Sequence, residues 1–195
     1  MRHRLALAAL ALLPLLAKAQ SPSSNALLVA KAALAQVGVT TKYDPSYARL
    51  PYPNGDIPRE RGVCADVVVR AFRAAGADLQ TLVHEDMKKS FPAYPQKWQL
   101  KKPDPNIDHR RVLNLETFFT RAGKALPVTR KPEDYWPGDV VSWRLDNGLP
   151  HIGVVATRPQ RNGRPLVVHN IGAGARQEDV LFDFKLTGHF RYFAL

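Results

Sequence analysis

Up to about residue 122 the apolar residues recur at helical spacing, and from about residue 139 onward they fall into short β-branched and aromatic runs parted by turn residues. Helices first and strands afterwards predict an α+β domain with an antiparallel sheet. Two stretches carry the helical pattern clearly. Asn25 is placed to cap residues 26–37, which end at Gly38, and Ala26, Val29, Ala30, Ala33 and Val37 form one apolar face. The segment CADVVVRAFRAAG (64–76) repeats Val67, Val68, Ala71, Phe72 and Ala75 at the same spacing and stops at Gly76. Further helices are expected over 79–91 and 112–122, with the Pro-rich, basic stretch 92–106 between them. Strands are expected over 139–144, 151–157, 165–170 and 189–193. Residues 41–62 show no periodicity and contain four prolines and three tyrosines, a length of loop that compact domains usually reserve for function.

The first residues lie outside this fold reasoning. Arg2, His3 and Arg4 precede the apolar run LALAALALLPLLA, and Ala17-Lys18-Ala19 supplies a small-x-small cleavage site. Together they read as a secretory signal peptide over 1–19, cut after Ala19, with a single domain over 20–195 and a periplasmic or secreted destination. The apolar run is too short for a good membrane span, so no integral segment is expected after cleavage. Lys and Arg total 28 against 17 Asp and Glu, a formal net charge of +11. Three of those cations, Arg2, Arg4 and Lys18, belong to the leader, so the remainder keeps +8. Such a field favours anionic partners, and export turns the choice away from nucleic acid toward peptidoglycan or another anionic envelope polymer. The oligomeric state is left open.

An oxidising compartment makes the lone Cys64 informative, because an unpaired thiol there is exposed to oxidation. It opens the 64–76 helix, where aligned N–H dipoles are expected to lower its pKa, and Gly62 leaves room for a substrate backbone to approach. Two histidines can serve it. His151 begins one strand and His169 ends the next, with the loop RPQRNG (158–163) between them. If that hairpin centres near Arg161, Gly153 opposes His169 and both imidazoles share a face as diagonal neighbours. Cys64, His151 and His169 then make nucleophile, base and orienter.

The order of Cys on a helix start, PGDVVSW (137–143), HIGVV (151–155) and a second His on the next strand resembles the NlpC-type, papain-like cysteine peptidases and amidases of bacterial cell-wall metabolism. YDPSY, YPNGD, GVCADVVVRAFR, DLQ, HEDM, NIDHRR and VVHNIG extend the resemblance, over nearly the whole chain, to the YijF-like family of exported proteins. The resemblance implies a papain-like fold, N-terminal helices packed on an antiparallel sheet, with Cys64, His151 and His169 catalytic. It further implies a tyrosine that assists the oxyanion site. Tyr52 in YPNGD is the first match and Tyr43 the second. Asp66, on the first helical turn where a carboxylate suits the dipole, is structural or substrate-orienting, and His109 and Arg110 in NIDHRR, where a guanidinium can grip a carboxylate, complete the candidate substrate contacts. Arg111 shares that last chemistry.

No cofactor is implied, and no metal: HEDM shares no short ligand spacing with another histidine, and HExxH and CxxC are absent. The expected function is a hydrolase cleaving amide bonds of peptidoglycan stem peptides or crosslinks through a thioacyl intermediate. A non-catalytic envelope-binding module, a metal-dependent hydrolase, and an acyltransferase or lipid amidase using the same residues remain as alternatives.

Overall fold

The computed structural model describes residues 21–157 and 163–193. In chain order it contains α1 (Ser24–Leu34), β1 (Lys42–Tyr43), β2 (Arg61–Gly62), α2 (Cys64–Ala74), α3 (Leu79–Ser90), α4 (Val112–Arg121), β3 (Val140–Arg144), β4 (Pro150–Thr157), β5 (Leu166–His169), β6 (Arg176–Glu178) and β7 (Lys185–Phe190). The last five strands form one antiparallel sheet in the order β6-β5-β4-β3-β7, and β1 pairs with β2 in parallel. This is the expected α+β arrangement of N-terminal helices on an antiparallel sheet, with Cys64 at a helix start. No helix among the described residues is long and apolar enough to cross a membrane.

Alternation along the strands divides two cores. Val140, Ile152, Val154 and Val168 face the helices and join Val67, Val68, Phe72, Leu115 and Phe119. Val141, Trp143, Val155 and Val167 point to the other side, where Tyr135 and Leu181 cover them. Helix α2 lies between α1, α3, α4 and β4, so every residue from Cys64 to Phe72 is buried, not one face alone. Its polar residues are therefore committed internally. Arg70 makes a two-pronged pair with Asp56 and donates to the Ile57 and Arg61 carbonyls, as a buried cation requires.

Several boundaries differ from expectation for local reasons. Ser23, not Asn25, caps α1, accepting from the Ala26 N–H, and the helix gives way at Leu34 to turns in which Val37 is 42% exposed. The last strand begins at Lys185, because β7 follows β3 through a polar stretch that carries no β signal. Strand β6, Arg-Gln-Glu, has no apolar residue and was invisible to pattern reading. The Pro-Gly-Asp turn before β3 has a steric origin: Gly138 sits at φ +93 against the backbone of Ala26, where a β-carbon would collide.

The hairpin register is the one expected. Val154 opposes Val168 and Val155 opposes Val167, so the next pair along is Gly153 with His169, and a bulge follows between Val155 and Thr157. The loop anticipated at RPQRNG falls almost wholly outside the described residues.

Candidate active site

Two short strands and one helix start bring the thiol to a cleft. The pairing of Tyr43 with Gly62 delivers the chain into α2, and Asn170, just past β5, donates to the Gly62 carbonyl at 2.9 Å, tying the sheet to the same point. Within α2, Asp66 accepts the Val63 N–H at 2.6 Å, which closes the first turn over the sulfur. Cys64 is 4% exposed, and the backbone N–H groups of Ile152, Ala65 and Cys64 itself lie close enough to favour its thiolate. Ile152 follows His151 in β4, so the strand that carries the imidazole also reaches the thiol.

His151 and His169 lie on the same side of the sheet. His151 stacks on Trp143, its partner on β3, with ring centroids 5.6 Å apart. Gly153 makes room for the second imidazole: a β-carbon there would stand 2.7 Å from Val167 Cγ1 and 3.1 Å from His169 Cβ. His151 Nε2 lies 2.8 Å from His169 Nδ1, and His169 Nε2 lies 2.8 Å from Glu178 Oε2. Glu178, on β6 opposite Val167, is a residue that sequence reasoning missed; its strand carries no pattern and its carboxylate reaches His169 diagonally.

This chain fixes where the protons sit. The Glu178 carboxylate only accepts, so His169 donates through Nε2 and its Nδ1 is the unprotonated nitrogen. His151 must then donate through Nε2, which leaves its own Nδ1 lone pair as the basic atom. The carboxylate at the far end thereby sets the tautomer of His151.

The resting charges differ from the expectation of a lowered thiol pKa. Burial pushes Cys64 up to about 12, outweighing the three N–H groups aimed at the sulfur, and Asp66 raises it further. Burial, then the neighbouring His169, pushes His151 down to about 3. Burial also lowers His169, against the opposing pull of Glu178. At neutral pH the pair is thiol and neutral imidazole, so it suits proton abstraction during attack rather than a preformed ion pair.

The remaining candidates separate cleanly. Tyr43 lines both lobes of the cleft and is close enough to Cys64 for that group to raise its pKa, after burial as the larger cause. Tyr52 is not at the site: it packs edge-on against His84 and donates to Glu85 at 3.0 Å on an exposed flank. Its placement corrects the first match for the oxyanion tyrosine in favour of Tyr43. Asp66 and Arg110 are not free to meet substrate. Arg110 donates to Asp66 at 2.8 and 3.0 Å and to the Ser46 and Asp44 carbonyls, so its guanidinium is spent on holding the 44–46 loop to α2. Their side chains are 2% and 4% exposed, and breaking such a buried pair costs about 3–5 kcal/mol. His109 is likewise buried, its pKa driven down to about 3 by burial and then by Arg73 and Arg110, and it lines neither lobe. The space over Gly62 is filled by Asp66 and Arg70, with a β-carbon 3.1 Å from Asp66 Oδ2, so packing explains this glycine and no substrate approach is needed.

The cleft has two lobes that meet at Tyr43 and Pro150. One, of about 420 Å³, holds Cys64 with Tyr47, Trp98, Arg110 and Arg111. The other, of about 470 Å³, holds His151 with Asp146, Leu149 and Ile171. Exposed apolar side chains gather around both, Tyr47 at 56%, Trp98 at 44% and Leu149 at 58%, as they do at ligand grooves. No group of three metal-ligating side chains occurs among the described residues.

The fold is an α+β domain with a cysteine at a helix start and a histidine-histidine-carboxylate chain on its sheet. The chain belongs to the family described as Domain of unknown function (DUF1287), which it matches over residues 30–192. It is 60% identical over 174 residues to "Uncharacterized protein YijF" of Escherichia coli (strain K12), an alignment covering 89% of this chain and 85% of that one. Among solved structures it is similar to NlpC1 from Trichomonas vaginalis, with a TM-score of 0.49 and 13% identity over 90% of this chain, and to NlpC2 from Trichomonas vaginalis, with a TM-score of 0.44 and 12% identity over the same share. The chain spans about half the length of each, 47% and 50%.

Proposed function

We propose that this protein is an exported cysteine hydrolase that cleaves amide bonds in the stem peptides or crosslinks of peptidoglycan. The observation that carries the reading is the hydrogen-bonded chain from Glu178 through His169 to His151, on the strand whose next residue, Ile152, presents its N–H toward the Cys64 sulfur. A structural histidine pair would not need a nucleophile and an access route at its end. The cell-wall substrate class rests on the sequence resemblance, the leader and the basic charge.

In the first step Cys64 Sγ bonds to the amide carbonyl carbon as His151 Nδ1 takes the thiol proton. The Cys64 N–H and the Tyr43 hydroxyl stabilise the oxyanion. Collapse breaks the C–N bond, and His151 returns the proton to the departing amine. Water then attacks the thioester, giving its proton to His151 while the carbon–sulfur bond breaks, which restores the thiol and releases a carboxylic acid.

Mass-spectrometric profiling of muropeptides after incubation of purified peptidoglycan with wild-type protein and with Cys64→Ala tests this reading. New fragments with the wild type alone are expected, and their masses identify the bond. Identical profiles with both proteins would remove peptidoglycan hydrolysis as the function.

A further inference from the structure

One face of the sheet runs on past the sheet's own end. Val141, Trp143, Val155 and Val167 share that face with His151 and His169, and strand alternation continues it through Leu145, two residues beyond Trp143, and Leu149, two before His151. Ile171 stands two residues past His169, and Phe184 closes the group from the segment before β7. The tip between the two leucines is Asp-Asn-Gly, the polar chemistry expected of a turn, yet an aliphatic side chain flanks it on each side. Leu149 is 58% exposed, the highest value of any large apolar side chain among the described residues, and Ile171 is 45% exposed. The turn is held firmly. Leu145 N–H donates to the Leu149 carbonyl at 3.0 Å, Gly148 N–H to the Leu145 carbonyl at 2.7 Å, and Leu149 N–H to Asn147 Oδ1 at 3.0 Å. Its leucines are thus presented on a fixed support, which lowers the ordering cost of covering them.

Single exposed apolar residues need no explanation, but these share one hollow of about 470 Å³ with the imidazole of His151. Asp146 and Asn147 form the polar tip of the hollow, and no lysine or arginine among the described residues lines it. During amide cleavage the acyl fragment stays bonded to the Cys64 sulfur, which lines the neighbouring lobe, and the amine leaves with the proton that His151 returns. The group carried by that nitrogen therefore meets Leu145, Leu149 and Ile171. We infer that these side chains form the subsite for the leaving half of the substrate and select an amine that bears an apolar side chain. Such a group removes the aliphatic surface from water, whereas a carboxylate there would face Asp146 with no cation to offset it. This assignment rests on the hydrolase reading and goes beyond it by giving the leaving side a chemistry.

Aminolysis of the acyl-enzyme reads that side directly, because an attacking amine enters by the path the leaving amine takes. 4-Nitrophenyl acetate loads the thiol: Sγ bonds to the acetyl carbon, the C–O bond breaks, the phenolate leaves, and the thiol proton passes by way of His151 to solvent. After excess ester is removed, the acetyl-enzyme is offered leucinamide, glycinamide, glutamic acid α-amide and lysinamide at equal concentrations of free amine. The nitrogen bonds to the acetyl carbon, the C–S bond breaks, and the nitrogen's proton goes through His151 to the sulfur. N-acetyl products are counted by mass spectrometry per acetyl-enzyme, so the rate at which each variant is loaded does not enter. Wild type should favour leucinamide over each of the others by about tenfold, the scale of partly burying one leucine side chain. Leu149→Ser combined with Ile171→Ser should bring the four amines close to parity, and Leu149→Met combined with Ile171→Val should keep the preference.

Parity among the amines in wild type, a preference for a charged amine, or water as the sole acceptor would overturn the subsite while acetyl-Cys64 leaves the hydrolase intact. A leucinamide preference that survives both serine substitutions, with matching thermal melts, would overturn it equally. Absence of acetyl from Cys64 would sink the hydrolase reading and this proposal with it.

Discussion

Two histidine-carboxylate pairs stand on the same sheet, and only one is placed to do chemistry. His189 Nε2 lies 2.8 Å from Asp139 Oδ2, the same distance as His169 from Glu178. At the first pair the carboxylate is shared: Arg191 donates to both Asp139 oxygens at 2.7 Å, and the Trp136 N–H donates at 2.8 Å. Both partners are 1–2% exposed, Tyr135 stacks on the imidazole at 4.2 Å, and the pair locks β7 to the turn before β3. At the second pair the carboxylate is 37% exposed, has one imidazole, and passes its orientation through a second imidazole to the cleft. A His-carboxylate contact is thus structural when its valences are closed by a cation, and a candidate device when a basic nitrogen is left beside a nucleophile.

The sharpest break of that comparison is Cys64→Ala. On the cleft side it should lower amide hydrolysis by about 10⁴-fold or more with the fold intact, measured by turnover and thermal melting. Asp139→Ala should do the reverse. It leaves Arg191 and His189 buried without their partner, costing about 3–5 kcal/mol in chemical denaturation, while the alkylation rate of Cys64 in the folded fraction stays near wild type. His169→Ala should reduce kcat by about 10²-fold through loss of orientation at His151 with smaller change in KM. At the outer end of the chain Glu178→Leu should cost about tenfold, and Glu178→Gln should stay close to wild type, because its amide oxygen can still accept from His169 Nε2. A loss of equal size in both Glu178 variants would mean that the charge, not the tautomer, matters.

The smallest effect is on stability with pH. His109 and His151 have folded pKa values near 3 against an ordinary value of 6.5, and His169 is shifted the same way. Between about 6.5 and 3 the unfolded chain binds protons that the folded chain refuses, so stability falls as pH drops through this window. Asp108, raised to about 6 by burial, opposes it by taking up a proton in the folded state first. With His84 lowered as well, four histidines stand against one carboxylate, so the melting temperature should decline from pH 6.5 toward 4, and a rise over that range would contradict the assigned shifts.

Much of the scaffold was legible because its signals are local. Helical spacing around Val67–Phe72, the β-branched runs of β3 to β5 and the hairpin register near Gly153 all follow from period and side-chain type. That register brought His151 and His169 to one face before any coordinates. Other features depend on what packs from afar. Glu178 sits on a three-residue polar strand whose only determinant is its pairing with β5. The choice between Tyr52 and Tyr43 turns on a two-residue parallel bridge to Gly62, and the choice between Arg110 and Arg111 turns on which guanidinium Asp66 captures. Likewise, the dipole argument for an ionised Cys64 was sound locally and lost to burial by α1, β4 and α4, which no spacing along α2 reveals.

The carboxylate-ended chain leaves the basic lone pair of His151 on Nδ1. Long-range ¹H–¹⁵N NMR of the wild-type protein at pH 7, with His151 and His169 assigned through His→Gln variants, reads this without any substrate. The account predicts that both imidazoles are neutral and carry their proton on Nε2, with Nδ1 unprotonated. A proton on His151 Nδ1, or an imidazolium at that position, would contradict it.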